Sequence, residues 1–133
     1  MLAKRHILII EDNLDNLELV RFLLEKACFE VIEALDGRHG LELARKENPD
    51  LILLDLSIPE IDGWSLAQKL KGDPLTREIP IVALTAHTLP TDRKRALDAG
   101  CDGYLSKPLD IPTFIPQISA FISTRNKMLR QPT

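Results

Sequence analysis

The sequence predicts an α/β protein built around a buried parallel sheet. Short apolar runs rich in Ile, Leu and Val alternate with amphipathic stretches of about ten to sixteen residues, which is the pattern of repeated βα units. The gaps between runs are long enough for right-handed crossover helices. Polar or charged residues directly follow four of the runs, where the ligand crevice of an open parallel sheet lies. We therefore expect five βα units with one polar crevice.

The apolar runs define the strands. Five strands are predicted, near His6–Ile10, Glu30–Ala34, Asp50–Leu54, Pro80–Leu84 and Asp102–Leu105. The run Leu51–Leu54 is the most continuous, which indicates a central strand buried on both faces.

A capping residue and two short polar, glycine or proline pairs mark the first two helices. The first is predicted from Asn13, a candidate N-cap, to Ala27. The second is predicted to begin after Asp36-Gly37 and to stop before Asn48-Pro49. Gly40 falls inside this helix and costs about 1 kcal/mol relative to Ala, which we interpret as a tolerated weakness rather than as a sign of close packing.

Glycines mark the ends of the next two helices. The third helix is predicted over Trp64–Lys71 with its end at Gly72. The fourth is predicted over Thr91–Ala99, with Gly100 as its left-handed stop.

The fifth helix, between Asp110 and Met128, contains a proline. If Asp110 were the N-cap, Pro116 would be interior and would lose a hydrogen bond, so we predict a start at Thr113. The whole chain, residues 1–133, is expected to be one domain with a core over about 5–125 and a loose tail at 130–133.

Composition excludes several classes of function. The chain is 44% hydrophobic and 28% charged, and its formal net charge of −3 gives no attraction for nucleic acid. Cys28 and Cys101 are far apart and no secretory segment precedes them, so reduced thiols are expected. No run approaches the roughly 18 apolar residues of a membrane span. We expect a cytoplasmic protein that binds neither membranes nor nucleic acid directly.

The crevice residues point to phosphoryl transfer. Glu11, Asp12 and Asp55 follow the first and third strands, Thr85 follows the fourth and Lys107 follows the fifth. Three carboxylates at close range need a cation, and their hard oxygens suit Mg²⁺, which also accepts phosphate oxygens. A carboxylate at the mouth of a central strand can accept a phosphoryl group. The hydroxyl and the ammonium can contact the oxygens of that group.

Four motifs together resemble the receiver domain of bacterial two-component response regulators, of the stand-alone chemotaxis or cell-cycle type. They are Glu11-Asp12, Asp55–Gly63, Ala83–Ala86 and Lys107-Pro108, in the family's order and spacing. The chain departs from the family pattern at Ile58, where Met is commoner, and at Glu11, where Asp is commoner. The resemblance covers essentially the whole chain and implies a flavodoxin-like doubly wound fold with strand order 2-1-3-4-5.

The resemblance also implies roles for individual residues. Asp55 would be the phosphoacceptor, and Asp12, Asp55 and the backbone carbonyl of Ser57 would bind Mg²⁺, with Glu11 acting mainly through metal-bound water. The cofactor is thus expected to be Mg²⁺. Lys107 would hold a phosphoryl oxygen, and the Lys107-Pro108 peptide would be cis.

Further roles concern switching and the lifetime of the phosphoryl group. Thr85 would close on a phosphoryl oxygen beside the small Ala86, and Tyr104 would swing inward as Thr85 vacates space. Ser57 and His87 lie two residues beyond Asp55 and Thr85, where they would flank the path of an attacking water. We expect them to tune dephosphorylation.

The function implied is a signalling switch rather than a metabolic enzyme. The protein would take its phosphoryl group from a histidine kinase or a histidine phosphotransfer protein. It would promote only its own phosphorylation and dephosphorylation. Its output would be binding to a downstream protein through the face formed by helix four, strand five and helix five, while helix one would meet the donor.

Three other functions deserve comparison. A Mg²⁺-dependent aspartyl-phosphate phosphohydrolase of the haloacid dehalogenase type would carry a second Asp where this chain has Ser57. A flavodoxin-like electron carrier needs an anion-binding loop after the first strand, and the acids there would repel the anion. A phosphorylation-independent adaptor would not require Asp55, Thr85 and Lys107 to be intact together.

Overall fold

The structure is a computed structural model that describes residues 5–55, 63–85 and 90–130. The strands are β1 (His6–Ile10), β2 (Glu30–Ala34), β3 (Leu51–Asp55), β4 (Ile81–Thr85) and β5 (Gly103–Ser106). The helices are α1 (Leu14–Lys26), α2 (Gly37–Glu47), α3 (Gly63–Gly72), α4 (Pro90–Asp98) and α5 (Ile111–Arg130). The strands form one sheet in the order β2-β1-β3-β4-β5, and all of its pairings are parallel. The predicted α/β fold and strand order are confirmed.

The strand bounds show where polar residues join the sheet. β1 and β2 match their predicted bounds, while the other three strands begin and end one residue later than predicted. Asp55, Thr85 and Ser106 each end a strand because their backbones still pair with the neighbouring strand: Asp55 with Leu84, and Thr85 with Ser106. The polar side chains are therefore fixed by the sheet rather than by loops.

Side-chain caps fix the starts of α1 and α2. The Asn13 cap was predicted, whereas α2 begins at Gly37 rather than after it. The Asn13 side chain accepts a hydrogen bond from the Asn16 backbone N–H at 3.0 Å, and Asp36 accepts one from the His39 backbone N–H at 2.8 Å. α2 stops at Asn48, which is left-handed with φ 45°. Gly100 is left-handed after α4, with φ 101°, as expected for a helix stop.

The predicted start of α5 at Thr113 is wrong. The helix begins at Ile111 because Asp110 caps it: the Asp110 carbonyl accepts the backbone N–H of Phe114 at 3.0 Å, and its carboxylate accepts the Thr113 hydroxyl at 2.7 Å. Pro116 is therefore interior to the helix. It is exposed, so water can reach the carbonyl that loses its partner there.

The expected loose tail at 130–133 differs from the structure at residue 130. α5 extends to Arg130, while residues 131–133 lie outside the described part of the structure. Among the described residues, no helix combines the length and the apolar character that a membrane span requires. Cys28 is exposed and Cys101 is buried, and neither forms a disulfide, as predicted.

Two apolar layers sandwich the sheet. Side chains of α1 and α5 pack on one face against alternate strand residues such as Ile7, Leu53 and Leu84. Side chains of α2, α3 and α4 pack on the other face against residues such as Ile10 and Leu54. Each strand of the sheet centre is covered on both sides, which explains the continuous apolar runs.

Two glycines permit close approach of a helix to the sheet. A Cβ on Gly40 of α2 would lie 2.5 Å from Cδ1 of Ile10. The interpretation of Gly40 as a tolerated weakness is therefore wrong, because the helix packs against β1 at this position. A Cβ on Gly103 of β5 would overlap the ring of Phe121, which lies directly on the bare backbone.

Candidate functional site

The carboxyl edge of the sheet gathers the predicted site. Glu11 follows β1, Asp55 ends β3, Thr85 ends β4 and Lys107 follows β5. Glu11 is held by its backbone N–H, which donates to the Ala34 carbonyl of β2 at 3.0 Å. Since the strands are parallel, these residues converge from four segments of the chain on one crevice.

Three carboxylates meet in this crevice. One oxygen from each of Glu11, Asp12 and Asp55 lies within 4.8 Å of the other two. The side chains of Glu11 and Asp55 are only 1% and 5% exposed, while Asp12 is exposed. The Lys107 ammonium lies 3.1 Å from Glu11 Oε1 and 3.4 Å from Asp55 Oδ2. One cation therefore serves two buried acids, and a third acid lies at the entrance.

Glu11 is the least compensated member of the cluster. Burial, together with the adjacent negatively charged Asp55, raises the pKa of Glu11 from its ordinary 4.5 to about 7, although Lys107 opposes the shift. Its Oε1 accepts a hydrogen bond from Lys107, whereas its buried Oε2 has no hydrogen-bond partner among the residues that the structure describes. A buried carboxylate oxygen without a donor is unstable unless a proton or a cation reaches it.

The donor set fits a magnesium ion. Mg²⁺ prefers carboxylate and carbonyl oxygens and keeps several waters, so a cluster with two buried acids and one exposed acid suits it. A divalent cation would also compensate the Glu11 oxygen that lacks a donor. Ser57, predicted to contribute a backbone carbonyl, lies outside the described residues.

The structure also brings Thr85 and Lys107 together. The Lys107 backbone N–H donates to the Thr85 carbonyl at 2.8 Å, so β4 and β5 stay paired up to the crevice. The Thr85 residue is buried, and the Lys107-Pro108 peptide is cis, as predicted. Tyr104 is half-buried and packs with the apolar layer on the α2, α3 and α4 side. Ala86 and His87 lie outside the described residues.

Sequence reasoning missed the ion pair between Lys107 and Glu11. It assigned the lysine to a phosphoryl group or to the waiting Asp55, yet Glu11 Oε1 is the nearer acid. The two residues are 96 positions apart, so no local pattern relates them. The extra length of Glu compared with Asp is the one signal in the sequence that bears on this contact.

Comparisons with known proteins agree with this geometry. The family model described as the response regulator receiver domain matches residues 7–119. The polar-differentiation response regulator DivK of Brucella ovis is 39% identical over 118 residues, which are 89% of this chain and 96% of that protein.

Solved structures share the fold. The receiver domain of a sensor histidine kinase from Pseudomonas aeruginosa, which has a magnesium ion coordinated in its active-site cleft, is 31% identical with a TM-score of 0.84, covering 91% of this chain and 99% of that one. A CheY-like receiver domain protein from Methanospirillum hungatei is 25% identical with a TM-score of 0.87, covering 95% of this chain and 99% of that one. The chain therefore belongs to the response regulator receiver domain family of two-component signalling.

Proposed function

We propose that this receiver domain is a phosphorylation-dependent switch whose phosphoacceptor is Asp55. The observation that carries the proposal is the placement of Asp55: it is buried at the end of a central strand, with the Lys107 ammonium 3.4 Å away and two further acids within 4.8 Å. A carboxylate so placed can act as a nucleophile toward phosphorus while its surroundings hold the incoming charge.

The phosphoryl step follows from these groups. An Asp55 carboxylate oxygen attacks phosphorus of a phosphohistidine on a histidine kinase or phosphotransfer protein. The new O–P bond forms as the P–N bond breaks, and the histidine nitrogen keeps the electron pair. Mg²⁺, when bound by Asp12, Asp55 and the Ser57 carbonyl, supplies positive charge for the phosphoryl oxygens. Glu11 would contribute mainly through water on the bound ion, and Lys107 would exchange its contact with Asp55 for one with a phosphoryl oxygen.

Reversal is hydrolysis of the acyl phosphate. Water attacks phosphorus, the bond to the Asp55 oxygen breaks, and inorganic phosphate leaves. We assign tuning of this rate to Ser57 and His87, which follow Asp55 and Thr85 by two residues. The protein turns over no other substrate and is a signalling protein rather than a metabolic enzyme.

The switch would pass from Thr85 to Tyr104. Thr85 moves to donate its hydroxyl to a phosphoryl oxygen next to Ala86, and Tyr104 on the neighbouring strand enters the space that Thr85 leaves. The pairing of Thr85 with Ser106 places the two switch residues on adjacent strands, which supports this coupling. The result is a changed surface at α4, β5 and α5.

The output would be binding to another cytoplasmic protein. The receiver match covers residues 7–119, which supports one receiver domain over this part of the chain. The donor is expected to meet α1, and the target is expected to meet the face of α4, β5 and α5. An adaptor that ignores phosphorylation is the competing function.

The test is intact mass after incubation with acetyl phosphate and Mg²⁺. We expect a gain of one phosphoryl group, which both Asp55→Asn and a chelator abolish. A wild-type protein that gains no phosphoryl group from acetyl phosphate or from a phosphorylated phosphotransfer protein would favour the adaptor.

A further inference from the structure

Gly40 of α2 packs directly on Ile10, the β1 residue that precedes Glu11. A Cβ on Gly40 would lie 2.5 Å from Cδ1 and 2.8 Å from Cγ1 of Ile10, far closer than real side chains approach. Both residues are buried, and Ile10 has no exposed surface at all. α2 therefore lies as near to β1 as the Ile10 side chain permits.

Ile10 precedes Glu11 and pairs with Leu54, the residue that precedes Asp55. Its neighbours across the sheet are Ala34 of β2 and Leu54 of β3. Glu11 follows Ile10 and Asp55 follows Leu54, so the next step along each chain is a carboxylate. Any shift of Ile10 relative to Leu54 changes the separation of these two acids.

We propose that Gly40 is a positioning residue for the acid cluster, and that its missing side chain lets α2 hold Ile10 at the depth that Mg²⁺ binding requires. The inference rests on the proposed function, since it concerns the metal that the phosphoryl step uses. Ile10 is β-branched, buried and flanked by strands on both sides, so it has no open direction in which to turn. An added methyl group at position 40 displaces either the strand end or the helix.

The experiment compares Mg²⁺ affinity with stability in four proteins. Calorimetric titration gives the dissociation constant for Mg²⁺, and thermal unfolding in chelator gives the stability without metal. Wild type is compared with Gly40→Ala, with Gly40→Ala combined with Ile10→Val, and with Ala44→Gly. Ala44 is buried one helical turn further along α2 in the same apolar layer, so its change weakens the helix while leaving Gly40 in place.

We expect Gly40→Ala to weaken Mg²⁺ binding about tenfold, the lower end of what loss of support around a metal site costs. Removing the nearest Ile10 atom in the double variant should restore affinity to within about twofold, as expected when two residues in contact are coupled. Ala44→Gly should lower the melting temperature and leave the dissociation constant unchanged.

The outcomes separate the two proposals. A wild-type protein that binds no Mg²⁺ contradicts the proposed function, whereas wild-type affinity in Gly40→Ala overturns only the role of Gly40. Equal weakening by Ala44→Gly also overturns it, because the effect would then follow stability. If Gly40→Ala does not fold, the double variant is compared with Ile10→Val: equal affinities support the role, and a tenfold deficit in the double variant overturns it.

Discussion

The carboxylates at the two edges of the parallel sheet have different partners. The amino edge is where the strands begin, and the carboxyl edge is where they end. At the amino edge two acids accept hydrogen bonds from the backbone of a strand. Asp50 Oδ2 accepts the His6 backbone N–H at 2.8 Å. Asp102 Oδ2 accepts the Ile81 backbone N–H at 2.9 Å and the Lys71 ammonium at 2.8 Å. These acids tie loops and strands together.

At the carboxyl edge the acids face one another instead. Glu11 and Asp55 share the ammonium of Lys107, Asp12 lies close to both acids, and Glu11 keeps one buried oxygen without a donor among the described residues. The amino edge is arranged for stability, whereas the carboxyl edge retains uncompensated charge that a cation can use. One sheet thus separates acids that bind its backbone from acids that are available to a cation.

The largest change in stability should come from replacing Lys71, which binds residues at the amino edge. Its ammonium donates to the Ile79 carbonyl at 2.9 Å and the Arg77 carbonyl at 3.3 Å as well as to Asp102. Lys71→Met keeps the aliphatic stem but removes these bonds, so we expect the free energy of unfolding to fall by about 3 kcal/mol. Mg²⁺ affinity should not change.

Urea unfolding measures this loss, and Lys69→Met is its control. Lys69 is an exposed lysine on the same helix, so its replacement should cost less than about 0.5 kcal/mol. Equal losses in the two variants would show that the Lys71 bonds contribute nothing.

A smaller effect should appear at the carboxyl edge as a pH dependence. The folded pKa of Glu11 is raised to about 7 from 4.5, so the folded protein holds a proton that the unfolded chain has already released. The stability that Glu11 contributes is complete below pH 4.5 and is lost as pH rises through 7. We expect this loss to be on the order of 2 kcal/mol in the metal-free protein.

Glu11→Gln isolates that dependence. The amide cannot ionise, so the variant in chelator should be more stable than wild type above pH 7 and should lack the decline between about pH 5 and pH 8. Unfolding curves of both proteins across this range give the difference. Parallel pH profiles would contradict an uncompensated charge on Glu11.

The smallest effect should come from the exposed pair at the amino edge. His6 Nε2 lies 2.6 Å from Glu30 Oε2, but these side chains are 46% and 52% exposed. Surface pairs contribute little, so Glu30→Gln should change the free energy of unfolding at pH 7 by less than about 0.5 kcal/mol. A loss above about 1 kcal/mol in chemical denaturation would mean that this edge depends on charge as well as on backbone bonds.

Much of the fold could be predicted from sequence because its signals are local. Apolar runs defined the strands to within one residue, and the short polar side chain of Asn13 marked the start of α1 through a bond to the residue three positions away. The meeting of Glu11, Asp12 and Asp55 was predictable because parallel strands bring their carboxyl ends to one edge.

The features that could not be predicted depend on contacts between residues far apart in the sequence, which local patterns do not reveal. In the sequence, Gly40 is only a residue of low helix propensity. The structure shows that it packs against Ile10, which lies thirty positions earlier. Pro116 led to the prediction of a late start for α5. The helix starts earlier because the cap at Asp110 offsets the one hydrogen bond lost at Pro116. No sequence motif includes Lys71, because its partners lie in the loop before β4 and directly before β5.

The packing of Phe121 on Gly103 has a consequence for how α5 can move. The ring occupies the notch left by the missing Cβ, on the strand that also carries Tyr104. A small slide of the helix along β5 would press ring carbons against backbone atoms on either side of the notch. This packing opposes a gradual slide of α5, so the helix is expected to keep its register or to lift away. If the proposed switch acts through β5, its effect on α5 would then be a step rather than a graded shift.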